Sequence, residues 1–353
     1  MSNFEKINQY ILPADLLMAM LRVYRFLGKN TYYQEQLSNH ETMILEQTLE
    51  RDTYFLANLI GVSLSDNRMR LIVIKNSEPR TNEERIVAKI KEVLRSIRTN
   101  ASQYPYNSSD ILDMINRIYG RGYASFDVEL LQPKEKLKRK VKKESLKSRR
   151  YHFDTIIDEY QHYFEKSMYE HIFLSSIACV EMSNIAPFTK ENDLALLLAL
   201  YYMILRSEVD CFKYVSFYEA LFNHNRDFKI SLNTASLNYF EGYIQVYDLN
   251  RLLFKIIIES YQKLDEILSE FKYDQRVNKG DNVENTIMKL PNLFTKADIR
   301  TYHPYVSDST ITRALNKLKD ENKIRPLGKG RTAHWVKIEP EEEKDFKRYF
   351  RNQ

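Results

Sequence analysis

Glycine and proline are scarce in this 353-residue chain, with 8 and 9 copies. That leaves little room for long irregular segments or for the dense turns of an all-β fold. Cysteine is scarcer still, with only Cys179 and Cys211. Both lie in apolar stretches of helical spacing, and two isolated thiols supply neither a zinc finger, a redox pair nor a disulfide framework. They read as buried thiols in a reducing compartment. Long hydrophobic runs are missing too: the most apolar stretch, Leu194 to Leu205, has twelve residues, against roughly 20 for a bilayer-crossing helix. It is expected to be a buried helix. Met1 to Gln9 shows no basic region followed by an apolar one, so no signal peptide, no membrane contact and a cytoplasmic location are expected. No metal or cofactor is expected either.

What is present is ordinary for a folded protein, 43% hydrophobic and 29% charged, and the length suffices for two or three domains. The net charge of +5 is unevenly placed. Val283 to Ile338 carries eleven Lys or Arg against five acids, an excess of six. Lys134 to Arg150 carries ten against Glu135 and Glu144. The latter run is too densely charged for a core element and reads as a solvated helix or loop, or as a binding arm without an obvious hairpin pattern.

Apolar residues recur at three and four from Leu12 to about Arg98, as in Leu16, Leu17, Met20, Leu21 and Tyr24, which predicts helices with a break at Asn76 to Thr81. Thr99 to Ser109 is a polar connection, and Asp110 is the expected cap of a helix reaching Tyr119. Helical spacing resumes at Tyr151 and lasts to Tyr273, with breaks expected at Asn184 to Asp193 and near Asn223 to Asn233. Asp274 to Asn282, nearly all polar and containing Gly280, reads as a linker. The fold class is mainly α. A helical part (1–100 and 101–273) precedes a linker (274–282), a small α+β domain (283–338) and a charged tail (339–353).

The small domain has a winged-helix pattern. Val283 to Leu290 gives a first helix, Thr295 caps a second that ends before Pro304, and Ser307 or Asp308 caps a third. In the third helix Ile311, Ala314, Leu315 and Leu318 form the stripe that packs inward. Its other side shows Ser309, Thr310, Thr312, Arg313, Asn316 and Lys317, the residue types that reach base edges and phosphates in a DNA groove. Asn322 is placed to take a left-handed conformation. A two-stranded wing, Ile324 to Leu327 and Arg331 to Ile338, follows with Lys329 and Arg331 at its glycine tip, suited to a phosphate backbone. Trp335 is the expected anchor of the wing. The stretch Val306 to Ile324 resembles the recognition helix of winged helix-turn-helix proteins, which implies binding of double-stranded DNA.

The larger part resembles the Fic family. The resemblance rests on Ser183 to Leu205, laid out like the family loop that reads His-Pro-Phe and then Gly-Asn-Gly-Arg before a buried helix. Ser216 to Asp227 resembles a second family segment, and Asp52 to Gly61 the family's inhibitory helix. The resemblance implies a helical fold, and it implies transfer of AMP or a related group from a nucleotide to a protein hydroxyl. In the family the loop histidine is the base, an acid holds magnesium, glycines form an anion nest and the arginine neutralises phosphate. Here Pro187, Phe188 and Asn192 match, whereas Ala186 stands for the histidine, Lys190 for the acid, Glu191 and Asp193 for the glycines and Leu194 for the arginine. The inhibitory motif has Leu56 and Ile60 where the family has a hydroxyl and a glutamate; in the family that glutamate pairs with the loop arginine, whose place Leu194 takes here, so both partners of the ion pair are missing together.

These readings combine into a DNA-binding regulator with a catalytically inactive Fic-like part, used for homodimerisation or for a protein partner. Asn192 or Asp193 is expected to cap the helix beginning at Leu194. The alternatives are a nucleotidyltransferase of divergent mechanism and a protein-binding adaptor.

Overall fold

The computed structural model describes residues 3–9, 11–62, 64–101, 106–131, 147–276, 279–290, 292–303, 306–328 and 334–338. The chain divides into two compact units, Met1–Asp265 and Glu266–Gln353.

The first unit is helical. In chain order it contains α1 (Ala14–Leu27), α2 (Asn30–Leu37), α3 (Glu41–Leu59), α4 (Asp66–Val73), α5 (Asn82–Asn100), α6 (Ser108–Tyr119), α7 (Arg149–Glu165), α8 (His171–Ile185), α9 (Asn192–Arg206), α10 (Cys211–Tyr214), α11 (Phe217–Asn223), α12 (Asn225–Ala235) and α13 (Tyr247–Arg276), whose last residues belong to the second unit. The core is built on α8 and α9, which pack on each other. Every residue from Ile172 to Met182 and from Leu194 to Leu205 is buried, as befits helices apolar on all sides. Each Leu, Ile or Val so enclosed stabilises the unit by roughly 1.5–3 kcal/mol. No helix among the described residues is long and apolar enough to cross a membrane. Cys179 and Cys211 are free and buried, and burial pushes the Cys179 thiol up to about 12.

A polar cluster around Asp52 lies inside this apolar frame. The carboxylate of Asp52 on α3 is fully buried and accepts from Ser216 Oγ (2.7 Å), the Tyr218 amide (3.1 Å), Tyr201 Oη (3.2 Å) and Arg98 Nη2 (3.2 Å). Burial raises its pKa, and these four donors oppose that rise. The cluster ties α3, α5, α9 and the start of α11 together.

Several boundaries differ from the sequence expectation. Asp110 does not cap α6. Asn107 does, accepting from the Asp110 amide at 3.0 Å while the Asp110 carboxylate accepts from the Asn107 amide at 2.9 Å. In this reciprocal box the acid belongs at the third helical position. A further break begins at 60–62, with Gly61 at φ 77°, between α3 and α4. Residues 225–235, expected as an interruption, form α12 because Phe228, Leu232 and Ala235 bury one face; the chain leaves the helix later, at 236–246, where Gly242 has φ 78°. The expected linker is helical at 274–276 and again at 279–282. Its polar residues tolerate helix, and Gly280 costs only about 1 kcal/mol.

The second unit contains α14 (Lys279–Lys289), β1 (Leu293–Thr295), α15 (Lys296–Tyr302), α16 (Asp308–Asp320), β2 (Ile324–Pro326) and β3 (His334–Lys337). The sheet has three strands rather than the expected two, in the antiparallel order β1-β3-β2. The missed strand, Leu293-Phe294-Thr295, is too short for its alternation to be read from sequence. It is held because buried Phe294 lies opposite Trp335. Val283, Ile287, Phe294, Ile299, Ile311, Leu315, Leu318, Ile324 and Trp335 form the core. Thr295 caps α15, Ser307 caps α16 and Asn322 takes φ 55°, all as the sequence led us to expect. The tail 339–353 lies outside the described residues.

Candidate functional site

The loop between α8 and α9 is built on two left-handed residues. Ala186 ends α8 at φ 46°, and Glu191 precedes α9 at φ 60°. Glu191 thus keeps the backbone conformation that a glycine takes most easily. Helix α9 starts at Asn192, not Leu194, and neither Asn192 nor Asp193 caps it; the N-cap is Glu191, which makes no side-chain cap bond. The reason is physical: the Asn192 side chain is committed elsewhere, accepting from the Phe188 amide at 2.9 Å and donating to the Phe188 carbonyl at 2.7 Å.

Phe188, 2% exposed, is the apolar pin of the loop, against the rings of Phe126 and Phe153 at 5.5 Å each. The backbone around it pairs with residues 125–127. Asp127 N donates to Pro187 O (2.8 Å), Thr189 N to Ser125 O (3.0 Å), and Ser125 N to Thr189 Oγ1 (3.1 Å). Residues 127–131 in turn pair with 147–150: Leu131 N donates to Lys147 O (3.1 Å) and Arg149 N to Glu129 O (2.9 Å). A hairpin pairing therefore exists where the sequence showed no hairpin pattern. Its contacts are mostly backbone bonds, which leave no signature in side-chain types. The basic run 134–150 lies largely outside the described residues; its end, Lys147 to Arg150, is part of this pairing. Arg149 also donates to the carbonyl of Ile185.

The charged loop residues are held by aromatic rings. The Glu191 carboxylate accepts from Tyr119 Oη (3.2 Å) and Tyr123 Oη (3.0 Å), two rings stacked at 4.6 Å. Gly120 at φ 123° and Gly122 at φ 78° turn the chain between them. Burial and then Glu191 raise the Tyr119 pKa, and the Glu191 hydrogen bond raises that of Tyr123. Lys190 lies over the Tyr123 ring at 4.5 Å. Asp193 is exposed and Leu194 is fully buried. The two tyrosines are the site residues that sequence reasoning missed; the pair of aromatic residues flanking Gly-Arg-Gly was the available signal. His224 makes its contacts with Glu259 (2.8 Å) and Asp227 (4.0 Å). Among the described residues no cluster of His, Cys, Asp and Glu could hold a metal ion.

In the second unit, α16 turns Ile311, Ala314, Leu315 and Leu318 into the core. Ser309, Arg313, Asn316 and Lys317 are exposed, and Thr310 and Thr312 are half-buried. The Ser307 hydroxyl meets those of Ser309 (2.8 Å) and Thr310 (2.9 Å). Lys296 donates to Thr312 Oγ1 at 3.0 Å, and Lys317 pairs with Glu284 at 2.8 Å. Lys329 and Arg331 lie outside the described residues.

No family model and no curated protein matches the sequence. Solved structures do resemble the fold. A Fic family protein from Desulfovibrio desulfuricans G20 is 11% identical, covering 94% of this chain and 98% of its own, with a TM-score of 0.52. Fic-1 from C. elegans is 16% identical, covering 72% and 74%, with a TM-score of 0.50. With its buried α8 and α9 joined by the loop at 186–191, this chain has the fold of the Fic proteins.

Proposed function

We propose that the chain is a DNA-binding regulator whose second unit docks α16 in the major groove, and that its Fic-like part carries out no nucleotidyl transfer. The observation that carries the DNA reading is the face of α16. Ser309, Arg313 and Asn316 stand exposed at i, i+4 and i+7, opposite a fully buried stripe, on a helix whose orientation is fixed by the core. Helix, strand, helix, helix, strand, strand, with sheet order β1-β3-β2, is the winged-helix arrangement. It presents its last helix to a groove. Arg forks to guanine and Asn pairs with adenine, while hydroxyls and Lys317 suit phosphates.

Inactivity of the Fic-like part follows from the chemistry of the loop. Ala186 has no proton acceptor, Lys190 repels a divalent cation, and Leu194, fully buried, offers nothing to a phosphate. The scaffold then serves dimerisation or partner recognition. Fluorescence anisotropy of the full chain on duplex DNA at increasing salt tests the first claim: affinity falls steeply with salt, and a flat response would overturn the reading. Transfer of labelled nucleotide to any protein hydroxyl would overturn the second.

A further inference from the structure

We propose that the cleft between α5 and α6 is a binding site for a small phosphorylated ligand, clasped by Arg85 and Arg117. The cavity there has a volume of about 640 Å³, within the roughly 300–1,000 Å³ of small-molecule sites. It is distinct from the α8–α9 loop and from α16. Its charge is one-sided: Arg85, Lys89, Lys91 and Arg95 on α5 and Arg117 on α6 line it, against the acids Glu78 and Glu92.

Three of the five cations are engaged within the protein. Lys89 pairs with Glu92 at 2.7 Å, and Lys91 and Arg95 share Glu46 at 2.8 and 3.0 Å. Arg85 and Arg117, one from each helix and both exposed, form no close ion pair among the described residues, Arg85 acting only at longer range on the Glu83 carboxylate. Two guanidinium groups that line one concavity can both be neutralised by an anion placed there. Their planar forks match phosphate oxygens. Ile86, Ile118 and Pro79 supply an apolar wall, which suits an organic body attached to the phosphate. The same cleft is lined by Tyr119, whose hydroxyl holds Glu191, so an occupant would touch a residue that fixes the loop.

Titration calorimetry of the full chain with inorganic pyrophosphate, AMP and adenosine tests the site. Pyrophosphate and AMP are expected to bind and uncharged adenosine not to bind. Arg85→Ala and Arg117→Ala should each weaken AMP by about tenfold, the loss of one charge-assisted fork, whereas Arg313→Ala in the second unit should leave the affinity unchanged. Both arginines are exposed, so each single variant is expected to fold as the parent does, and far-ultraviolet circular dichroism checks this. Absence of binding by both phosphorylated probes overturns the proposal. So does binding that survives either substitution unweakened, or that is lost in the Arg313→Ala variant.

Discussion

The Glu191 carboxylate accepts hydrogen bonds from the hydroxyls of Tyr119 and Tyr123, joining the start of α9 to the end of α6 and the glycine turn that follows it. Ionising either phenol beside this carboxylate is unfavourable, which together with burial raises the Tyr119 pKa, and the bond itself raises that of Tyr123. Glu191→Gln removes the charge. Both tyrosines should then ionise at lower pH, seen by ultraviolet difference titration. An unchanged tyrosine titration would mean that the carboxylate does not hold these rings.

Asn192 and Phe188 form the second lock of the loop, with the amide satisfying both backbone groups of one residue. Asn192→Ala leaves a donor and an acceptor without these partners. The expected cost is about 1–3 kcal/mol, measured by urea denaturation of the helical unit. The Asn192→Asp variant, which can accept but not donate when ionised, should fall between parent and Ala.

How much of this was legible depended on which groups carry the information. The stripe of Ile311, Ala314, Leu315 and Leu318, the Thr295 and Ser307 caps and the left-handed Asn322 were all readable, because side-chain type and spacing decide them. The Fic fold was readable from Pro187, Phe188 and Asn192 although most of the loop had diverged, since those three hold the loop in shape. The role of Asn192 was misread. Capping preference ranks Asn highly, but the bonds to Phe188 claim its side chain first. The hairpin at 127–131 and 147–150 and strand β1 escaped notice, because backbone pairing and three-residue strands leave almost no compositional trace. The tyrosine pair on Glu191 joins residues 68 and 72 positions apart, which no local pattern encodes.

Glu84 offers a test in pH. Its carboxylate receives Arg68 at 2.6 and 2.7 Å and the Arg80 amide at 2.7 Å. The Arg68 guanidinium, then the Arg80 amide, lowers its pKa to about 2. A depressed folded pKa gives stability that is fully present above the ordinary carboxylate value of 4.5 and is lost as pH falls toward 2. The Tm of the parent should therefore drop more steeply across that window than the Tm of Glu84→Gln. Parallel curves would show that the Arg68 pairing does not survive in solution.

Trp335 is the chain's one tryptophan and lies 8% exposed in the core of the second unit. Its fluorescence thus reports on that unit alone. Leu315→Ala, a substitution in the same core, should destabilise the transition seen by this fluorescence by about 2–5 kcal/mol. Asn192→Ala should leave it unchanged, and a coincident shift would mean that the two units unfold together.

Whether α16 reads DNA is tested by selection of bound duplexes from a random pool by the full chain, repeated with Arg313→Ala and with Asn316→Ala. The parent should enrich a motif, and each variant should show relaxed preference at individual positions, each lost contact being worth roughly 1–3 kcal/mol of discrimination. No enrichment, or the same motif from all three proteins, would contradict DNA reading by α16.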